Sequence, residues 1–185
     1  MSLELYRQLI EGVDDLTSQL NERYKSHLQC GAGCSACCHH HLSVFAVEAA
    51  VLTEAIQSLP EAQQTRIRQQ ANEVKEREAR GEAVVCPLLV DNLCSVYESR
   101  PLICRTQGLP LLYEADDGAQ EIDFCPLNFA SDAAIAELQE EYLVPLDLLN
   151  LKLALANVSY CQANGNNEPH LRIKIADLCS ALNPE

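Results

Sequence analysis

Apolar residues recur at three- and four-residue steps from the start of the chain. Leu9, Val13, Leu16, Leu20 and Tyr24 fall on one face, and this spacing predicts an amphipathic helix over Leu3–Leu28. Gly31 and Gly33 stop it and open a tight loop. His39–Val44 reads as extended. A second helix is expected over Phe45–Leu59, where Val47, Val51, Leu52, Ala55 and Ile56 are apolar, and Pro60 ends it or begins the next. Glu61–Arg80 is heavily charged, with Ile67, Ala71 and Val74 as its main apolar anchors. It reads as an exposed helix terminated by Gly81.

The pattern changes between Ala83 and Asp123. Val84-Val85 and Ser95-Val96-Tyr97 flank Asp91-Asn92, which predicts a short hairpin. Leu111-Leu112-Tyr113 and Glu121-Ile122-Asp123 flank Asp116-Asp117-Gly118, which predicts another. Ser131 then suits the N-cap of a helix over Asp132–Tyr142. Pro145 interrupts, and helix is expected again over Leu146–Gln162. Asn164–Asn167 reads as a loop, and Pro169 as the first turn of a last helix ending near Leu182. The expected fold is mainly α with a small, cysteine-rich β-hairpin insert, a minor α+β architecture. We expect a single domain over residues 1–185, with a metal-binding cysteine-cluster region at about 30–125 and a helical C-terminal part at 131–183.

Length and composition narrow the classes of function. The chain has 185 residues, enough to bury its own core, and it lacks tryptophan. A net charge of −14 disfavours nucleic acid and anionic membrane surfaces, because both are recognised through clustered Lys and Arg. Met1–Gly12 has neither the basic start nor the apolar centre of a secretory signal. Leu143–Val158 is broken by Pro145, Asp147, Asn150 and Lys152, so it does not read as a membrane span. A cytoplasmic location is expected, where thiols stay reduced and a disulfide framework is disfavoured.

The chemistry lies in the cysteines. Ten are present, and four of them, Cys30, Cys34, Cys37 and Cys38, fall within nine residues. Cys86, Cys94, Cys104 and Cys125 follow at wider spacing. Thiolate is a soft, charged donor suited to zinc, Fe–S clusters and copper(I). Cys34-x-x-Cys37 has a spacing common to zinc and iron sites. Small-hydrophobe packing explains such clustering poorly, so all eight read as candidate metal ligands, with Cys125 the last. Adjacent residues of an extended segment point to opposite sides. On that basis Cys37 and Cys38 serve two ions, or two edges of one cluster, more easily than one ion. Eight thiols could fill two four-sulfur sites or one site with some left over. Arg100 and Arg105 flank Cys104 and could lower thiolate pKa or donate hydrogen bonds to sulfur. Tyr97 and Leu102 read as core residues beside the site. His39, His40 and His41 follow the first cluster; the plainer reading is an exposed run, with His39 the best ligand candidate among them. Cys161 and Cys179 each stand alone on an expected helix and read as core residues.

The ordered combination Cys34-x-x-Cys37-Cys38, Cys86-Pro87-x-Leu89, Cys94-x-Val96-Tyr97-Glu98 and Arg100-Pro101-x-x-Cys104-Arg105 resembles the YkgJ-type cysteine-cluster proteins, the zinc- or iron-chelating CxxCxxCC domains. The resemblance runs from about Cys30 to Cys125. Cys30 stands apart from the pattern, since three residues rather than two separate it from Cys34. The resemblance implies a metal-binding protein whose cofactor is a zinc ion or iron, including an iron–sulfur cluster. It leaves protein partners undefined.

Three functions compete. The first is a metal-binding protein with a structural, storage or chaperone-like site, which needs nothing beyond the thiols. The second is an iron–sulfur enzyme, since some relatives of this family are flagellin lysine methylases. No GxGxxG after a strand, no phosphate loop and no recognisable triad support it, and it rests on the resemblance alone. The third is a thiol redox sensor using Cys37 and Cys38, which leaves the other six clustered cysteines without a role.

Overall fold

In the computed structural model, which describes residues 3–182, the α-helices are α1 (Glu4–Arg23), α2 (Ala46–Gln57), α3 (Glu61–Ala79), α4 (Leu102–Thr106), α5 (Asp132–Ala136), α6 (Leu146–Ala163) and α7 (Ile175–Ser180). The strands are β1 (Ser43–Val44), β2 (Leu89–Val90), β3 (Leu93–Cys94), β4 (Leu111–Glu114), β5 (Gln120–Asp123), β6 (Val144–Pro145) and β7 (Ile173–Lys174). The fold is mainly helical with small sheets of two or three strands, the class that the periodicity predicts. The ends of the expected single-domain span, including residue 183 of the helical C-terminal part, lie outside the described residues. Among the described residues no helix is long and apolar enough to cross a membrane.

The chain divides into two compact units. One comprises the residues up to Gly31 with Leu102–Ala156, and the other Ala32–Pro101 with Asn157 onward. The division falls within α6.

The first unit rests on the apolar face of α1. Tyr6, Leu9, Val13, Leu20 and Tyr24 are buried, at the spacing the sequence sets. α1 packs on α4, and the carboxylate of Asp14 receives two hydrogen bonds from Arg105 Nη1, at 2.5 and 2.7 Å. β4 pairs antiparallel with β5 around Asp116-Asp117-Gly118 and parallel with β6. Ser131 Oγ accepts the amide of Ala134 and caps α5. The helix stops at Ala136 rather than Tyr142, and the remainder becomes a separate 3₁₀ turn at Glu140–Tyr142.

The second unit packs α2, α3 and α7 around Val44, Leu52, Ile56, Ile67 and Ala71, all 0–1% exposed. Buried Asn157 ties distant segments together: its Oδ1 accepts the Val47 amide at 3.1 Å and its Nδ2 donates to Pro169 O at 2.6 Å. The last helix is shorter than the expected span from Pro169 to Leu182. Ile173 and Lys174 instead pair with Val44 and Ser43, so residues from opposite ends of the sequence form β1–β7 and α7 begins only at Ile175. Tertiary pairing overrides the local helical signal there.

Candidate metal centre

Three separate stretches of the second unit carry cysteines to one place. The first is a single 3₁₀ turn, Ala36–Cys38, entered from Ser35. The second is Cys86-Pro87-Leu88-Leu89, a turn closed by the Leu89 amide on Cys86 O at 3.0 Å. Proline suits its second position because the ring fixes φ near the value the turn needs. The third is β3, where Cys94 stands opposite Leu89. A two-residue turn joins β2 and β3, with Asp91 and Asn92 both left-handed (φ 52° and 61°). Asn and Asp tolerate that conformation, and two left-handed residues match the twist of a hairpin. The strands lie next to the turn and include neither Val84-Val85 nor Ser95-Val96-Tyr97, the runs expected to form them; Tyr97–Ser99 forms a 3₁₀ turn instead.

Two hydrogen bonds fasten these stretches together. The Cys86 amide donates to Cys38 O at 2.7 Å, and Ser35 Oγ donates to Asn92 Oδ1 at 3.4 Å. The hairpin tip is thus held to the turn that carries Cys37 and Cys38.

The thiols differ in acidity for physical reasons. A hydrogen bond from Cys38 is the largest influence on Cys37, and with the nearby charges of His40 and Arg100 it pulls the Cys37 pKa down to about 6. Burial pushes Cys86 up to about 11, and the charges of Cys94 and Cys37 add to the effect. Burial also raises Cys94, against the attraction of Arg100. Cys37, Cys86 and Cys94 therefore feel one another's charge, and Cys38 bonds to Cys37. The Arg100 guanidinium lies 3.4 Å from the centre of the Tyr97 ring, a cation–π contact.

The first unit holds Cys30, Cys104 and Cys125. Cys30 Sγ lies against Gly108, where a Cβ would stand 2.6 Å from the sulfur and 3.9 Å from the Cβ of Cys125. Cys104 is half-buried on α4. In the second unit, Cys34 is exposed on the loop before the Cys37–Cys38 turn. All ten cysteines are free thiols. Among the described residues no three Cys, His, Asp or Glu side chains stand close enough to share a metal ion.

Several sequence readings change. Cys37 and Cys38 are not in an extended segment. They share a helical turn, which sets their side chains side by side rather than on opposite faces and removes adjacency as a reason for two ions. Tyr97 is exposed rather than core, whereas Leu102 is buried as expected. Arg105 donates to Asp14, and Arg100 acts on Cys37 and Cys94. Of the histidines, His40 is the one whose charge reaches Cys37, while His41 Nδ1 lies 3.4 Å from Glu78 Oε1. Cys161 and Cys179 are fully buried. Cys179 packs in the same core that Cys86 and Cys94 border, and burial pushes its thiol up to about 12. Only the isolated position of Cys179 was legible in sequence; its closeness to Cys86 needs the β1–β7 pairing.

The chain matches no curated protein and no solved structure. A family model matches residues 29–126, which contain all eight clustered cysteines. With more than half of its length inside that model, the chain belongs to the CxxCxxCC family, described as a putative zinc- or iron-chelating domain.

Proposed function

We propose that this protein binds zinc or iron through cysteine thiolates, and that Cys37, Cys38, Cys86 and Cys94 form the central donor set. The reading is carried by one observation: these four thiols come from three stretches of chain yet lie within reach of one another's charge or hydrogen bonds. Four thiolates repel one another, and partial burial strengthens the repulsion. A bound cation reverses the sign of that interaction. The set is all sulfur, which suits tetrahedral zinc and iron clusters alike.

Cys37, the thiol whose pKa is drawn down, would be the most ready of the set to meet the ion as thiolate. Cys86 and Cys94, whose pKa values burial raises, would have to give up their protons to bind, so metal uptake would release protons. Arg100 lies close enough to Cys37 and Cys94 to offset their charge. Cys34, on the loop entering the same turn, is a fifth thiol of this unit. In the first unit, considered by itself, Cys30, Cys104 and Cys125 are the remaining candidate thiols.

Metal analysis of anaerobically purified protein tests the reading. We expect stoichiometric zinc, or iron with visible thiolate-to-iron absorption, and loss of that metal in Cys86→Ser and Cys94→Ser. A folded protein with no affinity for zinc or iron would overturn it, as would retention of the metal when both residues are replaced.

A further inference from the structure

Helix α6 carries two apolar faces. Leu149, Leu153 and Ala156 on one side are buried in the core. Leu148, Leu151 and Leu155 lie on another side and are 49%, 58% and 58% exposed. All six belong to the first unit. The buried rings of that unit are partnered within the chain: Tyr24 packs edge-on against Phe129, whose ring also meets Phe124 and His27. Single exposed leucines are ordinary on a protein surface. Three in a row on one helix are not, because a helix that is apolar on all sides is suited to an interior.

The spacing of the exposed face is that of a coiled-coil seam. Leu148, Leu151 and Leu155 are three and four residues apart, the a, d and a positions of a heptad. Asp147 then takes the preceding g position and Lys152 the e position, and both are exposed. In a parallel helix pair a g residue meets the e residue five places on in the other helix. Asp147 and Lys152 are five places apart and of opposite charge. Asp147 is held at the start of the helix by the Glu114 amide, which donates to its Oδ2 at 2.8 Å. Lys152 has no such anchor. The chain's other lysines, Lys25, Lys75 and Lys174, each pair with a carboxylate of their own chain. Among the described residues Lys152 does not, although the chain carries 27 acidic side chains.

Charge also selects the occupant. From Leu148 to Ala163, Lys152 is the one charged residue, in a chain of net charge −14. Two copies repel through that net charge, and this face lets them meet with Asp147 opposite Lys152 rather than carboxylate opposite carboxylate.

We propose that α6 docks a second copy of this chain, the two helices lying parallel about a two-fold axis. Leu148, Leu151 and Leu155 pack against the same leucines of the other copy, and Asp147 pairs with the partner's Lys152, twice by symmetry. The leucines supply the burial. The ion pairs set the direction, since exposed pairs add little energy. Three half-exposed leucines per copy bury less than the roughly 1,200–2,000 Å² of a stable complex, so the dimer forms reversibly and with rising concentration. It needs no metal.

Sedimentation equilibrium of the full-length protein, under reducing conditions and from micromolar to submillimolar loading, tests the proposal. The mean mass should rise reversibly from one chain towards two. Leu151→Gln combined with Leu155→Gln keeps helix propensity and charge, and it should weaken association about tenfold or more. Its thermal midpoint should stay where it was, because both side chains are exposed. Lys152→Glu should weaken association about three- to tenfold. Lys25→Glu, the same change of charge off this helix, should leave it nearly unaltered. Adding Asp147→Lys to Lys152→Glu should restore it, as the pair is then exchanged. A chain that stays monomeric throughout would overturn the proposal, and so would a dimer that the double leucine variant leaves intact. No restoration in the folded Asp147→Lys, Lys152→Glu protein would overturn the parallel direction.

Discussion

The Cys86 amide donates to the Cys38 carbonyl across 2.7 Å, joining the turn of the first cysteine cluster to the Cys-Pro-Leu turn far along the chain. Both are backbone groups, so the link needs neither sulfur nor ion. The two stretches are expected to stay together after metal removal. Hydrogen exchange checks this: the Cys86 amide should remain protected in chelator-treated protein, and free exchange there would show that the ion, not the backbone, assembles the site.

The acidity difference sets an order of reaction in the metal-free protein. Folding lowers the Cys37 pKa, so its thiolate fraction rises through about pH 6 instead of the ordinary thiol range near 9. Folding raises Cys86 to about 11, so its thiolate fraction is still climbing beyond pH 10. Iodoacetamide should therefore label Cys37 first, with a half-maximal rate near pH 6 and a plateau above it. Cys38→Ala removes the largest stabilising contact and should move that midpoint upward, and Arg100→Gln should move it upward by less. A Cys37 profile centred near pH 9 would contradict the geometry.

Two cysteines, Cys161 and Cys179, are expected to stand outside the metal site. Cys161 is fully buried on α6, with Sγ 3.8 Å from Asn157 Oδ1. Cys161→Ala should cost about 1–2 kcal/mol as a small cavity and leave metal content unchanged. Cys94→Ser should reduce metal content. Thermal melts and metal analysis of the two variants separate the outcomes.

Asn157 is the most exposed to failure of the buried polar groups in the second unit, because one side chain satisfies two backbone groups from different segments. Asn157→Ala strands the Val47 amide and the Pro169 carbonyl. A loss of about 1–3 kcal/mol is expected in urea unfolding. A neutral result would mean that water replaces both bonds.

Ile67 is 0% exposed and one of two fully buried residues that α3 commits to the core. Ile67→Ala should cost about 2–5 kcal/mol, far more than any single change on the charged faces of the same helix. Denaturant midpoints of Ile67→Ala and Arg66→Ala make the comparison.

What sequence conveyed here was local. Asp91-Asn92 and Asp116-Asp117-Gly118 are turns because of their own backbone preferences, and Ser131 caps because its hydroxyl reaches an amide three residues on. The long helices were legible from their apolar faces. The 3₁₀ turn at Cys37–Cys38 was not, since nothing in Ala-Cys-Cys distinguishes a turn from a strand without the Cys86 amide that meets it. Strand β7 was equally hidden, because it exists through pairing with Ser43 and Val44.

The edge-on packing of Tyr24 against Phe129, 5.3 Å between ring centres, has a spectroscopic corollary. The protein has six tyrosines and no tryptophan, so no indole signal masks its phenol bands. A phenol locked in an asymmetric aromatic nest is optically active in the near ultraviolet, whereas a freely turning one is nearly silent. Circular dichroism in that window therefore carries a label-free contribution from the packing of Tyr24 in the first unit.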